Sequence, residues 1–184
     1  RYLFYILMRI ISGKFGGRRI SPPHNMPHTR PTTDIAKEGL FNMLQNRVQL
    51  EGAKTLDLFG GTGCISYELA SRGAIDLTIV EKDSIMLGFI KQNIEMLKIE
   101  NVQLLQMDVF QYLSTCKNQY DIIFAGPPYA LNTIDQLPKI IVEQQLISPE
   151  GYFILEHTPR NNYKTYPGYS FERNYGTTIF SFFE

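Results

Sequence analysis

Thr55-Leu56-Asp57-Leu58-Phe59-Gly60-Gly61-Thr62-Gly63 decides the fold of this 184-residue chain. It reads as an apolar strand that carries an acid near its end and runs straight into a glycine turn and a helix. Glycines let the backbone approach a ligand closely and take positive φ, and a helix start offers free N–H groups. A dinucleotide-binding turn reads G-x-G-x-x-G, but here Gly61-Thr62-Gly63 is followed by Ser66 where the third glycine belongs. The turn is therefore a poor pyrophosphate cradle. Asp57 would also repel phosphate, whereas it can accept hydrogen bonds from an ammonium group such as that of methionine.

Outward from this turn the chain alternates strand and helix with little spare length. Strands are expected at 54–58, 76–80, 102–106, 122–125 and 151–155, and helices at about 64–72, 84–97, 109–116 and 133–146. Such alternation implies right-handed crossovers and a parallel sheet covered on both faces. Residues 169–175 and 177–183 flank Gly176, are rich in aromatic and β-branched side chains, and predict an antiparallel hairpin closing one sheet edge. Upstream, 9–12 and 18–20 read as a small hairpin around Gly13 and Gly16-Gly17. The prolines at 22, 23 and 27 mark an extended loop. A helix then begins at Thr33-Asp34, with Ile35, Leu40, Phe41 and Leu44 as its apolar face and Thr33 or Asp34 as N-cap.

The chain is expected to form one globular unit, in two functional parts: a basic arm over 1–33 and a catalytic domain over 34–184. Net charge is zero, but the average hides a division. Arg1, Arg9, Lys14, Arg18, Arg19 and Arg30 fall in the first 33 residues with no acid among them, and the remaining 151 residues carry 12 basic and 18 acidic side chains. Concentrated basicity of that kind can bind phosphate without a high overall isoelectric point, although a solvated arm with no partner would look the same. Two cysteines in separate elements and three histidines without ligand spacing argue against a disulfide framework or a metal site and fit a cytoplasmic setting. Residues 1–7 are apolar yet far too short to span a membrane. They read as an upstream extension before Met8, or as an extra strand.

Three acids recur at the carboxyl ends of strands. Asp57 ends the first, Glu81 lies 18 residues past Gly63 at the end of the second, and Asp108 follows the third. Ligands of open α/β sheets bind along that edge, and a carboxylate after the second strand can hold both hydroxyls of a ribose. Asp108 is placed to receive an adenine amino group. After the fourth strand comes Gly126-Pro127-Pro128-Tyr129. Two prolines stiffen this turn, Tyr129 can stack on a planar base, and backbone carbonyls can accept from an amino group.

Asp57-Leu58-Phe59-Gly60-Gly61-Thr62-Gly63 together with Pro127-Pro128-Tyr129 resembles the amino-methyltransferases that carry an (Asp/Asn)-Pro-Pro-(Tyr/Phe) motif. More narrowly, the run from Met8 to Ile20, Thr29-Arg30-Pro31-Thr32-Thr33-Asp34, Glu38-Gly39-Leu40-Phe41-Asn42 and Asn174-Tyr175-Gly176-Thr177-Thr178 resemble the RsmD family. The resemblance implies a Rossmann-like class I methyltransferase fold with a mostly parallel seven-stranded sheet. It also implies methyl transfer from S-adenosylmethionine to a guanine amino group of 16S rRNA. Asp57, Gly60, Gly61 and Gly63 would then meet the methionine end of the cofactor, Glu81 the ribose and Asp108 the adenine, with Phe59, Lys82 and Val109 beside them. Gly126, Pro127, Pro128 and Tyr129 would receive a flipped guanine. Arg30 and Thr32 would line the entrance, and Arg9, Lys14, Arg18 and Arg19 would hold RNA phosphates. The expected partner is ribosomal RNA, free or within a 30S particle or assembly intermediate, met by a monomer with no membrane association.

One residue departs from the family pattern: Gly126 stands where the motif has its acid. That acid accepts a hydrogen bond from the amino group and so aims its lone pair. Its loss could slow transfer on the order of 10²-fold, and Gly126→Asp is expected to raise activity. A natural weakening, an introduced substitution, and a chain that keeps cofactor and RNA binding without turnover all accommodate the glycine. The Pro-Pro-Tyr turn alone would equally suit an amino-methyltransferase for a small molecule or a protein glutamine.

Overall fold

The computed structural model describes residues 7–26 and 32–184. Its elements run β1 (Met8–Arg9), β2 (Arg19–Ile20), α1 (Asp34–Leu44), β3 (Lys54–Leu58), α2 (Cys64–Ser71), β4 (Asp76–Glu81) and α3 (Ser84–Leu97). They continue with β5 (Val102–Gln106), α4 (Val109–Thr115), β6 (Tyr120–Ala125), α5 (Gln136–Glu143), β7 (Ile147–His157), β8 (Tyr169–Tyr175) and β9 (Thr178–Phe183). Seven strands make one sheet in the order β5-β4-β3-β6-β7-β9-β8, parallel from β5 to β7, with β9 and β8 antiparallel at the edge. The expected Rossmann-like methyltransferase architecture with its closing hairpin is what the chain adopts.

After β5 the chain returns to the far side of β3 to form β6. The order therefore reverses between β3 and β6, and a crevice opens outside their carboxyl ends. The side-chain period of two sorts each strand between two cores. Leu77, Ile79, Ile122, Phe124 and Ile154 pack with Leu40 of α1, Ile65 of α2 and Ile90 of α3. Leu56, Leu58, Val80, Ile123 and Leu155 pack with Leu113 of α4 and with Leu137 and Ile141 of α5. Asp57, one residue on from Leu56, consequently faces the α2 side.

Several boundaries move for identifiable reasons. The N-terminal hairpin shrinks to two residues a strand because the N–H groups of Ile11 and Ser12 leave the ladder and donate to Glu68 Oε2 and Oε1 at 2.8 and 3.1 Å. Glu68 is fully buried on α2 and also pairs with Arg72 Nε at 3.0 Å, so the arm is fastened to the core by a satisfied carboxylate. Met8, Ile10, Phe15 and Ile20 join the first core, which makes residues 7–20 part of the same packed body as the sheet. The strand expected at 151–155 begins four residues earlier, as β7 runs through Pro149 and the positive-φ Glu150 with a register shift against β6, and it ends at His157, two residues beyond. The expected 133–146 helix contracts to α5 between flanking turns. Residues 1–6 and 27–31 lie outside the described residues; all but Leu7 of the expected extension before Met8, together with Arg1 and Arg30, therefore falls there. Among the described residues no helix is long and apolar enough to cross a membrane.

Candidate active site

A cleft of about 790 Å³ lies over the crevice between β3 and β6. Its walls include Phe59 and Gly61 after β3; Val80, Glu81 and Lys82 at the end of β4; Asp108 and Val109 after β5; Gly126 through Tyr129 after β6; and Glu156 on β7. Residues expected from four separate stretches of sequence therefore meet at one opening, joined by Glu156 from a fifth. A volume of this order suits a ligand of nucleoside size plus part of a second molecule.

Glu81 is held from both sides. Its Oε2 accepts the backbone N–H of Gly61 at 2.7 Å and its Oε1 that of Asp83 at 2.8 Å, which fixes the carboxylate plane while each oxygen keeps a further lone pair. Gly60 packs so closely under this corner that a Cβ there would come within 2.6 Å of Ile79 Cγ2; no side chain fits. Phe59 takes φ +62°, an uncommon conformation for an aromatic residue, and its neighbours Gly61 and Gly63 are also in the positive-φ region. Such clustering of unusual backbone is typical of loops shaped around a ligand.

Asp108 has a second task that its position after β5 did not reveal. It is the N-cap of α4, and its Oδ1 accepts from Phe110 N and Gln111 N at 2.8 and 3.2 Å. The capping fixes the side chain at the cleft and leaves Oδ2 for another donor.

Asp57 is placed differently from Glu81 and Asp108. Its side chain is buried beneath the cleft rather than lining it, and Oδ2 accepts the Ser66 hydroxyl of α2 at 2.6 Å. Burial pushes its pKa up to about 7, against the opposing effect of the Ser66 hydrogen bond. Gly60 and Gly63 likewise sit behind the cleft wall, Gly63 as the N-cap of α2.

The turn after β6 presents a buried Pro127 and exposed Pro128 and Tyr129 to the cleft. Gly126 faces Glu156, a residue absent from the expected site. Glu156 is 7% exposed, accepts the Thr32 hydroxyl on Oε2 at 2.9 Å, and has its pKa pushed up to about 7 by burial, which outweighs that hydrogen bond. A signal for it was available, since Glu156 is a fourth acid at the carboxyl end of a parallel strand, one residue past the predicted end of β7.

Residues 8–184 match the family model described as Conserved hypothetical protein 95, the RsmD family. The chain belongs to that family. A relative, the ribosomal RNA small subunit methyltransferase D of Buchnera aphidicola subsp. Baizongia pistaciae, is 30% identical over 164 residues, covering 85% of this chain and 83% of its own. The solved structure of yhhF from Escherichia coli superposes with a TM-score of 0.82 at 25% identity, covering 96% of this chain and 97% of that one. At 23% identity the fold alone is shared with the T. thermophilus 16S rRNA N2 G1207 methyltransferase RsmC in complex with AdoMet and guanosine. There the TM-score is 0.71, over 98% of this chain and 50% of that one.

In this RsmD-family member the described basic residues Arg9, Lys14, Arg18 and Arg19 lie outside the cleft wall. Arg9 and Arg19 lie directly opposite each other in the β1–β2 pair, both exposed, with Arg9 Nε 3.8 Å from Asp34 Oδ2. Like charges facing across a strand pair repel, so this spot gains from an anion between them. Lys14 donates its backbone N–H to Ser71 O at 2.8 Å, at the last residue of α2, roughly 10 Å along the helix from the glycine turn. Lys14 and Arg18 both lean over the Phe15 ring, at 5.4 and 5.6 Å from its centre. Thr32 reaches the cleft through Glu156.

Proposed function

We propose that this chain transfers the methyl group of S-adenosylmethionine to the exocyclic N2 of a guanine in 16S rRNA, as a cytoplasmic monomer. The observation that carries the reading is the convergence of Glu81, Asp108 and Pro127-Pro128-Tyr129 on one cleft at the sheet's reversal point. The side chains there fit the cofactor. Glu81 offers two oriented oxygens to a ribose diol, Asp108 one oxygen to an adenine amino group, and Val80 and Val109 apolar walls to a planar ring. Asp57 acts on the methionine ammonium from below, through the loop that its hydrogen bond to Ser66 braces.

When bound, S-adenosylmethionine supplies an electrophilic methyl group, so the protein's part is positioning. Tyr129 stacks on the extruded guanine, and the carbonyls of Gly126 and Pro127 accept from its amino group. Pro127 and Pro128 keep that turn stiff, which holds the nitrogen in line with the methyl. Arg9, Arg18, Arg19 and Lys14 hold phosphates along the arm, and the opposed pair Arg9 and Arg19 is best suited to bridge one.

Mass analysis of rRNA nucleosides tests the reading. Cells lacking this protein should lose one N2-methylguanine from 16S rRNA, and expression of this chain should restore it. Purified chain with labelled cofactor should label rRNA as free RNA or as immature 30S particles. Cofactor binding without transfer to either would instead favour the catalytically weakened protein that Gly126 suggests.

A further inference from the structure

We infer that Glu156 supplies the carboxylate acceptor for the target amino group that Gly126 lacks. This deepens the proposed function and rests on it. Ala125 of β6 pairs with Leu155 of β7, so Gly126 and Glu156 are the next residues along two adjacent parallel strands. Both face the α1–α2 side of the sheet, as Phe124 and Ile154 do. A Cβ added to Gly126 would stand 3.1 Å from Glu156 Oε2 and 3.2 Å from Phe124 Cε1. The volume in which the motif's acid would begin is thus bordered by a carboxylate already present, and both residues line the same cleft.

The surroundings of Glu156 suit this task better than a structural one. Among the described residues no cation pairs with it, and Thr32 is its one hydrogen-bond donor. Glu68, buried still more completely, is by contrast satisfied by two backbone N–H groups and Arg72. With one neutral donor among the described residues, Glu156 is a buried carboxyl of the kind that gathers at functional sites. Thr32 engages Oε2, which turns the carboxyl and leaves Oε1 for a substrate N–H. The Thr32 contact also joins the residue before the N-cap of α1 to the end of β7, 124 positions apart, so the start of α1 is coupled to the acceptor.

The chemistry balances without a further reagent. The amino nitrogen's lone pair forms the new N–C bond while the bond from methyl to sulfur breaks, its electron pair staying on sulfur. The nitrogen then carries one proton too many. Glu156 accepts a hydrogen bond from that N–H beforehand, aims the lone pair, takes the surplus proton as positive charge develops, and returns it to water on product release. Its burial-raised proton affinity suits it to do so near neutral pH. Gly126→Asp alone would set a second carboxylate against the first. The gain expected from the motif by itself should therefore appear only when Glu156 is neutralised as well.

The test is single-turnover methyl transfer to immature 30S particles at saturating labelled cofactor, with cofactor affinity measured on each variant. Glu156→Gln should slow transfer about 30- to 100-fold while leaving cofactor affinity within about twofold. The double variant Gly126→Asp/Glu156→Gln should recover at least about tenfold of that loss. A second readout needs no turnover: with S-adenosylhomocysteine bound, NMR titration should show the unsubstituted chain preferring guanosine to inosine, which lacks the 2-amino group. Glu156→Met should erase that preference. Transfer by Glu156→Gln within about threefold of the unsubstituted chain, or a guanosine preference that is absent at the outset or survives in Glu156→Met, would overturn the inference. So would an inactive unsubstituted chain that Gly126→Asp alone revives, which leaves the proposed function standing. Methylation of a different nucleotide atom would instead sink the proposed function, and this inference with it.

Discussion

Gly61 N–H donates to Glu81 Oε2 at 2.7 Å, tying the glycine turn after β3 to the end of β4. The bond makes Glu81 both a candidate ligand and a brace for the loop. Glu81→Gln should keep the packing but replace an oxygen facing Gly61 or Asp83 with a donor that cannot accept. Cofactor affinity should fall about 10- to 100-fold, as expected for charge-assisted hydrogen bonds to a ribose, with kcat at saturating cofactor much less affected. Isothermal titration with S-adenosylhomocysteine checks this, and an unchanged Kd would remove Glu81 from the site.

Tyr129 stands 48% exposed at the cleft rim, and in the proposed function its ring stacks on the extruded guanine. Tyr129→Ala should raise KM for RNA or reduce kcat/KM by about 10- to 100-fold through lost stacking, while Tyr129→Phe should stay near the unsubstituted value. Equal effects of the two substitutions would point to the hydroxyl instead of the ring.

What could be read from the sequence divides along a physical line. Local signals carried far: Gly60-Gly61-Thr62-Gly63 needs special backbone wherever it occurs, and the strand-helix alternation around it leaves few topologies. Glu81 and Asp108 were legible because a carboxylate at a strand's carboxyl end faces the crevice in this architecture. Glu156 obeys the same rule at the end of β7 and was missed because the expected strand stopped one residue short of it; Glu68 was not legible, because it owes its role to partners 56 to 57 residues away that no spacing rule connects. Asp57 sits between these cases. The rule found its strand end, but period-two alternation beneath α2 turned its carboxyl down to Ser66.

Glu68 should be among the residues most costly to truncate. Glu68→Ala strips acceptors from Ile11 N and Ser12 N and leaves Arg72 without its 3.0 Å partner in a largely buried position. Breaking such a buried pair costs about 3–5 kcal/mol. Urea denaturation should report a loss of that order, and limited proteolysis should now cut the segment before Ile20.

The opposed arginines of the N-terminal hairpin predict a specific salt dependence. If Arg9 and Arg19 share a phosphate, replacing either with Ala should lower the slope of log Kobs against log salt by about 0.7–0.9 without altering transfer at saturating RNA. Lys14, placed at the far end of α2, provides the comparison. A smaller change for Lys14→Ala would confine the RNA path to the β1–β2 pair, and an equal change would extend it to the end of α2.

Stability should also vary with pH in a way set by two buried carboxyls. Asp57 and Glu156 both have pKa values raised from the usual carboxyl range to about 7, chiefly by burial. Between pH 4 and 7 the folded chain therefore holds protons that the unfolded chain has released. Their stabilising contribution is complete below the ordinary carboxyl value and is lost as pH rises through about 7. Glu156→Gln, which is neutral at every pH, should match the unsubstituted chain near pH 5 and exceed it at pH 8 by on the order of 2 kcal/mol. Urea unfolding at pH 5, 6, 7 and 8 measures the difference. If the two curves stayed parallel, Glu156 would be ionised throughout, and the uncompensated burial that marks it as an acceptor would have no energetic consequence.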